Sequence, residues 1–109
     1  MTTDSALSVP HVEAGEARIP ALGLGTWQNT GPQCAATVQD ALDMGYRHID
    51  TAQVYGNEAE VGEGIAAADV AREDVFLTTK VWRSNLEPRD VHKSVRQSLF
   101  KLDVEVVDL

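Results

Sequence analysis

Basic residues are scarce in this sequence. Nine Lys and Arg stand against 17 Asp and Glu, a formal net charge of -8. A surface of that sign repels phosphate backbones and anionic lipid, which excludes nucleic acid and membrane surfaces as partners. It suits a soluble protein with an acidic, solvated exterior, and halophilic proteins share this balance. Cysteine is nearly absent too. Cys34 stands alone, so no internal disulfide forms, and a reducing cytoplasm is the expected compartment. No stretch approaches the roughly 20 apolar residues that span a bilayer. The opening MTTDSALSVP has neither the basic nor the apolar region of a secretory signal, and residues 1–8 are expected to form a frayed start. The glycine-rich LGLGTW is not a dinucleotide fingerprint, because Trp27 and Gln28 follow Gly25 where that motif needs another glycine.

What is present is an alternation. The 109 residues, 43% of them apolar, suffice for one domain with a core. Two short extended pieces flank Glu13-Ala14-Gly15-Glu16, a hairpin turn in which Gly15 supplies the unusual backbone angle. Ala21–Gly25 reads as a buried strand. After a loop, Pro32 opens a helix whose apolar face is Cys34, Val38 and Leu42 and whose C-cap is Gly45. Tyr46–Thr51 is the next strand. Asn57 with Glu60 resembles a capping box for a second helix, with Val61, Ile65 and Ala68 on its buried face. Gly62 and Gly64 weaken that helix by about 1 kcal/mol each and predict a close approach by something else. Val75–Val81 is a strand. Pro88 opens a third helix with Val91, Val95 and Leu102 on one face and Ser98 and Leu99 near it, and Val104–Leu109 is expected to begin another strand.

The strand ends recur about every 25–30 residues, the spacing of right-handed βαβ units in a parallel sheet. Periodicity leaves two architectures open, a doubly wound sheet and a β/α barrel. In both, function gathers at the carboxyl ends of the strands. Asp50 ends one strand, Lys80 lies near the end of the next, and Tyr55 follows Asp50 in the loop. A phenol is a weak acid near neutrality, and an ammonium beside it favours the phenolate. Asp50 holding Lys80, and Lys80 supporting Tyr55, would make a general-acid relay.

The segment GYRHIDTAQVYGNEAEVG, residues 45–62, closely resembles the first signature of the aldo-keto reductases, with IPALGLGTW before it and FLTTKVW and SLFKLDVEVVDL after it. Its DTAQVYGNE wording leans towards the prokaryotic 2,5-diketo-D-gluconate reductase-like branch. The resemblance implies a TIM-type (β/α)8 barrel of NADP-dependent oxidoreductases with an N-terminal β-hairpin. About the first three and a half βα units would be present, since a full barrel takes roughly 250 residues. Residues 9–109 would be the N-terminal part of one barrel domain, and the sequence is expected to be truncated. The implied activity is reduction of aldehydes and ketones with NADPH, NADH being the other option, and no metal. The implied catalytic residues are Asp50, Tyr55 and Lys80. Gly25, Thr26, Trp27 and Asp50 match positions at the cofactor, and Trp27, Tyr55 and Trp82 match the substrate pocket. The family's catalytic histidine would fall beyond Leu109, and none of His11, His48 and His92 replaces it. The implied partner is a small-molecule carbonyl substrate, and the complete enzyme is expected to be a monomer. The competing expectations are a non-enzymatic binding protein of the same fold and a self-associating half-barrel.

Overall fold

Gly15 and Glu16 turn the chain back between β1 (His11–Ala14) and β2 (Ala17–Pro20), paired antiparallel from His11↔Pro20 to Ala14↔Ala17. Gly15 takes φ +63°, as the turn requires. The computed structural model describes residues 9–109, so the expected fraying of residues 1–8 lies outside the described residues.

Three short strands then build a parallel sheet in the order β3 (Leu24–Gly25), β4 (His48–Asp50), β5 (Phe76–Thr78). Each is shorter than the apolar run that predicts it. Single backbone bonds continue the pairing past the strand ends, from Thr26 N to Asp50 O at 3.1 Å and from Thr51 N to Thr78 O at 2.8 Å. Three helices connect and cover the sheet: α1 (Gly31–Met44), α2 (Glu58–Ala67) and α3 (Pro88–Leu102). Pro32 lies in the first turn of α1. At its end Gly45 takes φ +119°, and the bonds Gly45 N to Leu42 O and Tyr46 N to Ala41 O close a Schellman motif. Cys34, Val38 and Leu42 are buried as the periodicity predicts, and they meet Ile49, Val61, Ile65, Val75, Leu77 and Leu102 in one core.

The two helical glycines mark where helices touch. A Cβ on Gly64 would stand 2.6 Å from Ala35 O in α1, and one on Gly62 would run into the Leu102 backbone of α3. No side chain fits between these backbones, so close packing outweighs the helix propensity that glycine forfeits.

Three expectations need correction. Val104–Asp108 forms no strand, and pairing with β5 begins only at Leu109, where Leu109 N donates to Leu77 O at 3.2 Å and Thr79 N donates to Leu109 O at 3.0 Å. Asp108 N and Leu109 N both donate to Leu77 O, but Leu77 N donates to the Asp108 carboxylate at 2.8 Å, so a side chain occupies a ladder position that a backbone carbonyl would fill. Arg72 secures the same segment by donating to Val106 O and Asp108 Oδ2. Next, Asn57 precedes α2 but its side chain makes no capping bond and turns towards the loops at the strand ends. Finally, the deepest residues of α3 are Ser94, Ser98 and Leu102, while Val91 and Val95 are half-buried. Small, hydrogen-bonded serines let the helix sit close: Ser94 Oγ donates to Val91 O, and Ser98 Oγ accepts from Gln53 Nε2.

Candidate active site

In-register pairing sets Gly25, Asp50 and Thr78 side by side at the carboxyl end of the sheet. The loops leaving the three strands therefore emerge together. Alternation along β4 points Ile49 into the core and Asp50 to the other side. Two residues past β5, Lys80 reaches back, and its Nζ lies 2.5 Å from Asp50 Oδ1. The loop after β4 forms a 3-10 turn, Gln53–Tyr55, ended by Gly56 at φ +69°. That turn brings Tyr55 Oη within 3.4 Å of Lys80 Nζ, while the Thr51 carbonyl lies 3.5 Å from the same nitrogen. The ammonium donates to both the carboxylate and the phenol oxygen, so the phenol proton is left to point elsewhere.

Asp50 and Lys80 remain open to water, with side chains 39% and 48% exposed. Partial burial pulls the Lys80 ammonium down, but its hydrogen bonds to Asp50 and Tyr55, and the charges on those groups, outweigh this and hold it above the ordinary lysine value. Lys80 is charged throughout the neutral range.

The remaining candidates flank this trio. Gly25 is exposed, and no atom lies within 4 Å of where its Cβ would stand. Thr26 is buried, and both its N and Oγ1 donate to Asp50 O, at 3.1 and 3.3 Å. Trp27 follows it 68% exposed. Trp82 lies on the loop after β5, with the Arg83 guanidinium 4.8 Å from its ring. Gly25 and Trp27 are thus both exposed at the strand ends that carry the open Asp50–Lys80 pair.

None of the histidines joins the trio. His11 is in the hairpin, and His92 is exposed on α3. His48 donates from Nδ1 to Pro20 O at 3.1 Å, accepts at Nε2 from Thr78 Oγ1 at 2.9 Å and packs edge-on against Phe76, pinning the hairpin to the sheet. Among the described residues no cluster of His, Cys, Asp and Glu is placed to hold a metal, and no helix is long and apolar enough to cross a membrane.

Several polar residues beside the site escape a reading by periodicity. Gln53 Oε1 accepts from Trp82 N and Asn85 Nδ2, and its Nε2 donates to Ser98, tying the Tyr55 turn to the loop after β5 and to α3. Glu58, buried in the first turn of α2, accepts from Thr79 Oγ1 at 2.7 Å. Their only sequence signal is the density of polar residues in TAQVYGNEAE between two apolar segments.

The model of the Aldo/keto reductase family matches residues 21–109. The chain is 44% identical to Aldo-keto reductase family 1 member A1 of Rattus norvegicus over 97 residues, 84% of this chain and 30% of that protein. Among solved structures it is similar to a protein assigned as a 2,5-diketo-D-gluconic acid reductase B, with a TM-score of 0.87 and 47% identity, covering 92% of this chain and 36% of that one. A Bombyx mori aldo-keto reductase in complex with NADP gives 0.85 and 34%, over 94% of this chain and 37% of that one. The chain spans 29% to 34% of the length of the curated relatives it matches.

Proposed function

Because the chain belongs to the aldo/keto reductase family, we propose that it supplies the strand-end catalytic groups of an NADPH-dependent carbonyl reductase. The reading rests on one observation above the others: Lys80 Nζ lies within hydrogen-bond reach of both the Asp50 carboxylate and the Tyr55 phenol at the open end of the sheet. Residues 9–109 act as the N-terminal part of one (β/α)8 barrel, about three and a half of its βα units. The substrate is a small aldehyde or ketone, the complete enzyme is a monomer, and the compartment is the cytoplasm, in keeping with a single buried thiol.

A bound nicotinamide supplies the hydride that the carbonyl carbon accepts, and that chemistry is the cofactor's own. Gly25, Thr26, Trp27 and Asp50 would hold the nicotinamide end, Gly25 by leaving room and Trp27 by offering an apolar face. Tyr55 donates its proton to the carbonyl oxygen as negative charge grows there. Lys80 donates to the same phenol oxygen and stabilises the charge left on it. Asp50 keeps the ammonium in place. Solvent returns the proton to Tyr55, and the alcohol leaves. Trp27 and Trp82 flank the site as apolar surfaces for the rest of the substrate.

Tyr55→Phe removes only the hydroxyl. In the full-length protein it should lower NADPH-dependent reduction of a small aldehyde by at least about a hundredfold, while NADPH affinity, followed by quenching of protein fluorescence, changes little. Turnover within about threefold of wild type would show that Tyr55 is not the acid.

A further inference from the structure

Asn57 is wholly buried two residues beyond Tyr55, and both polar atoms of its side chain are in use. Its Nδ2 donates to the carbonyls of Thr26 and Asn29, each at 2.8 Å, and its Oδ1 accepts from Thr51 Oγ1 at 2.9 Å. Two carbonyls demand donors, so the amide can face them only one way round, and the Thr51 hydroxyl holds the other end.

Those two carbonyls are the ends of one tight turn. Asn29 N donates to Thr26 O at 3.1 Å, closing the chain over Trp27 and Gln28. Gln28 has φ +65°, a left-handed conformation that glycine adopts freely and glutamine does not. A strained turn persists only where its surroundings over-determine it. The Trp27 side chain is 68% exposed in this chain, and buried hydrogen bonds hold the turn beneath it: Thr26 is bonded twice to Asp50 O, and Asn57 bridges both ends of the turn from the loop that carries Tyr55.

We propose that Asn57 is a positioning residue for substrate selection: it locks the Thr26–Asn29 turn, and with it the backbone that carries Trp27, favouring carbonyl substrates with a flat aromatic group over small ones. This rests on the reductase reading of the Asp50–Tyr55–Lys80 site. An indole carried on a turn fixed in advance offers stacking at a lower entropy cost than one on a mobile turn. A small aldehyde reaches only the proton donor and gains nothing from the indole.

The test uses the full-length protein carrying Asn57→Ala or Thr51→Val. The second variant keeps the shape of the threonine and removes only the hydroxyl that orients the amide. The kcat/KM ratio for benzaldehyde over propanal should fall by about tenfold in Asn57→Ala, chiefly through KM for benzaldehyde, and by about threefold in Thr51→Val. Fluorine NMR of fluorotryptophan-labelled protein, with the Trp27 line assigned through Trp27→Phe, should show that line broaden or split in both variants. An unchanged ratio in Thr51→Val together with an unmoved Trp27 line overturns the proposal, as does equal loss on both substrates. Should Asn57→Ala not fold, Thr51→Val decides alone. A wild type without reductase activity would sink the reductase reading and the selection role with it, and the fluorine spectra would still show whether Asn57 holds the turn.

Discussion

Ile49 and Asp50 are neighbours in β4 and belong to two differently built regions. Ile49 is fully buried in a seam of Cys34, Val38, Leu42, Val61, Ile65, Val75, Leu77 and Leu102 between helices and sheet. Asp50 opens onto loops held by directed polar bonds: Lys80 to Asp50, Thr26 to Asp50, Asn57 to two carbonyls, and Trp82 N to Gln53. Apolar burial is non-directional and constrains volume and shape more than the direction of any single bond. Hydrogen bonds have narrow geometry and set atoms to within tenths of an ångström. The seam therefore carries stability and the strand ends carry position, and substitutions should separate the two.

The sharpest separation is expected from Lys80→Met. Activity of the full-length enzyme should drop by about a hundredfold or more, through kcat, while the urea midpoint moves little. The pair is about half exposed, so water takes over the unpaired Asp50 carboxylate. A large loss of stability with activity retained would reverse the assignment of the two regions. Leu77→Ala should behave in the opposite way and cost about 3 kcal/mol in equilibrium unfolding, with per-molecule turnover of the folded fraction nearly preserved. Gly64→Ala comes next. The helix gains about 1 kcal/mol in propensity, but the added methyl meets the Ala35 carbonyl and Val38, and a net loss of about 1–2 kcal/mol should appear in the same titration.

Three smaller effects concern the Lys80 proton, the Cys34 thiol and the hairpin. Lys80 is held above the ordinary lysine value of 10.5, so its contribution to stability is complete below that value and disappears only as pH rises through the higher folded-state value. The difference in stability between wild type and Lys80→Met should stay flat from about pH 6 to about pH 9. A Lys80-dependent decline inside that window would show that the ammonium is not held as the geometry indicates. Burial, reinforced by the charge of Glu60, pushes the Cys34 thiol up, so disulfide reagents should label it only at the rate of unfolding. Val12 on the hairpin is 55% exposed, and Val12→Thr should change stability by no more than about 0.5 kcal/mol.

The seam was largely legible in the sequence. Cys34, Val38 and Leu42 recur every four residues and pack as that spacing predicts, and Gly15 and Gly45 sit where φ is positive. The site was legible as residue types, since Asp50, Tyr55 and Lys80 stand at or just beyond strand ends. How that site is fastened was not. Asn57 reads as a helix cap because caps are local, whereas its bonds run to Thr26 and Asn29, far away along the chain. Ser98 lies near the apolar face of α3 by its spacing, but no periodicity says that a serine, Ser94 or Ser98, will be the most buried residue of its turn.

The sequence by itself determined the order of strands and helices as far as Leu102, the apolar faces of α1 and α2, where the turns fall, and the family. These follow from periodicity, from backbone angles that only some residues tolerate, and from a dense local motif. Tertiary structure alone decided that Asn57 bridges the Thr26 and Asn29 carbonyls, that the neighbours of Gly62 and Gly64 are Leu102 and Ala35, and that Asp108 replaces a backbone acceptor for Leu77. Each of these joins groups from separate segments. A hydrogen bond forms only when donor and acceptor meet within about 3 Å, and that distance does not exist until the sheet register has brought the segments together.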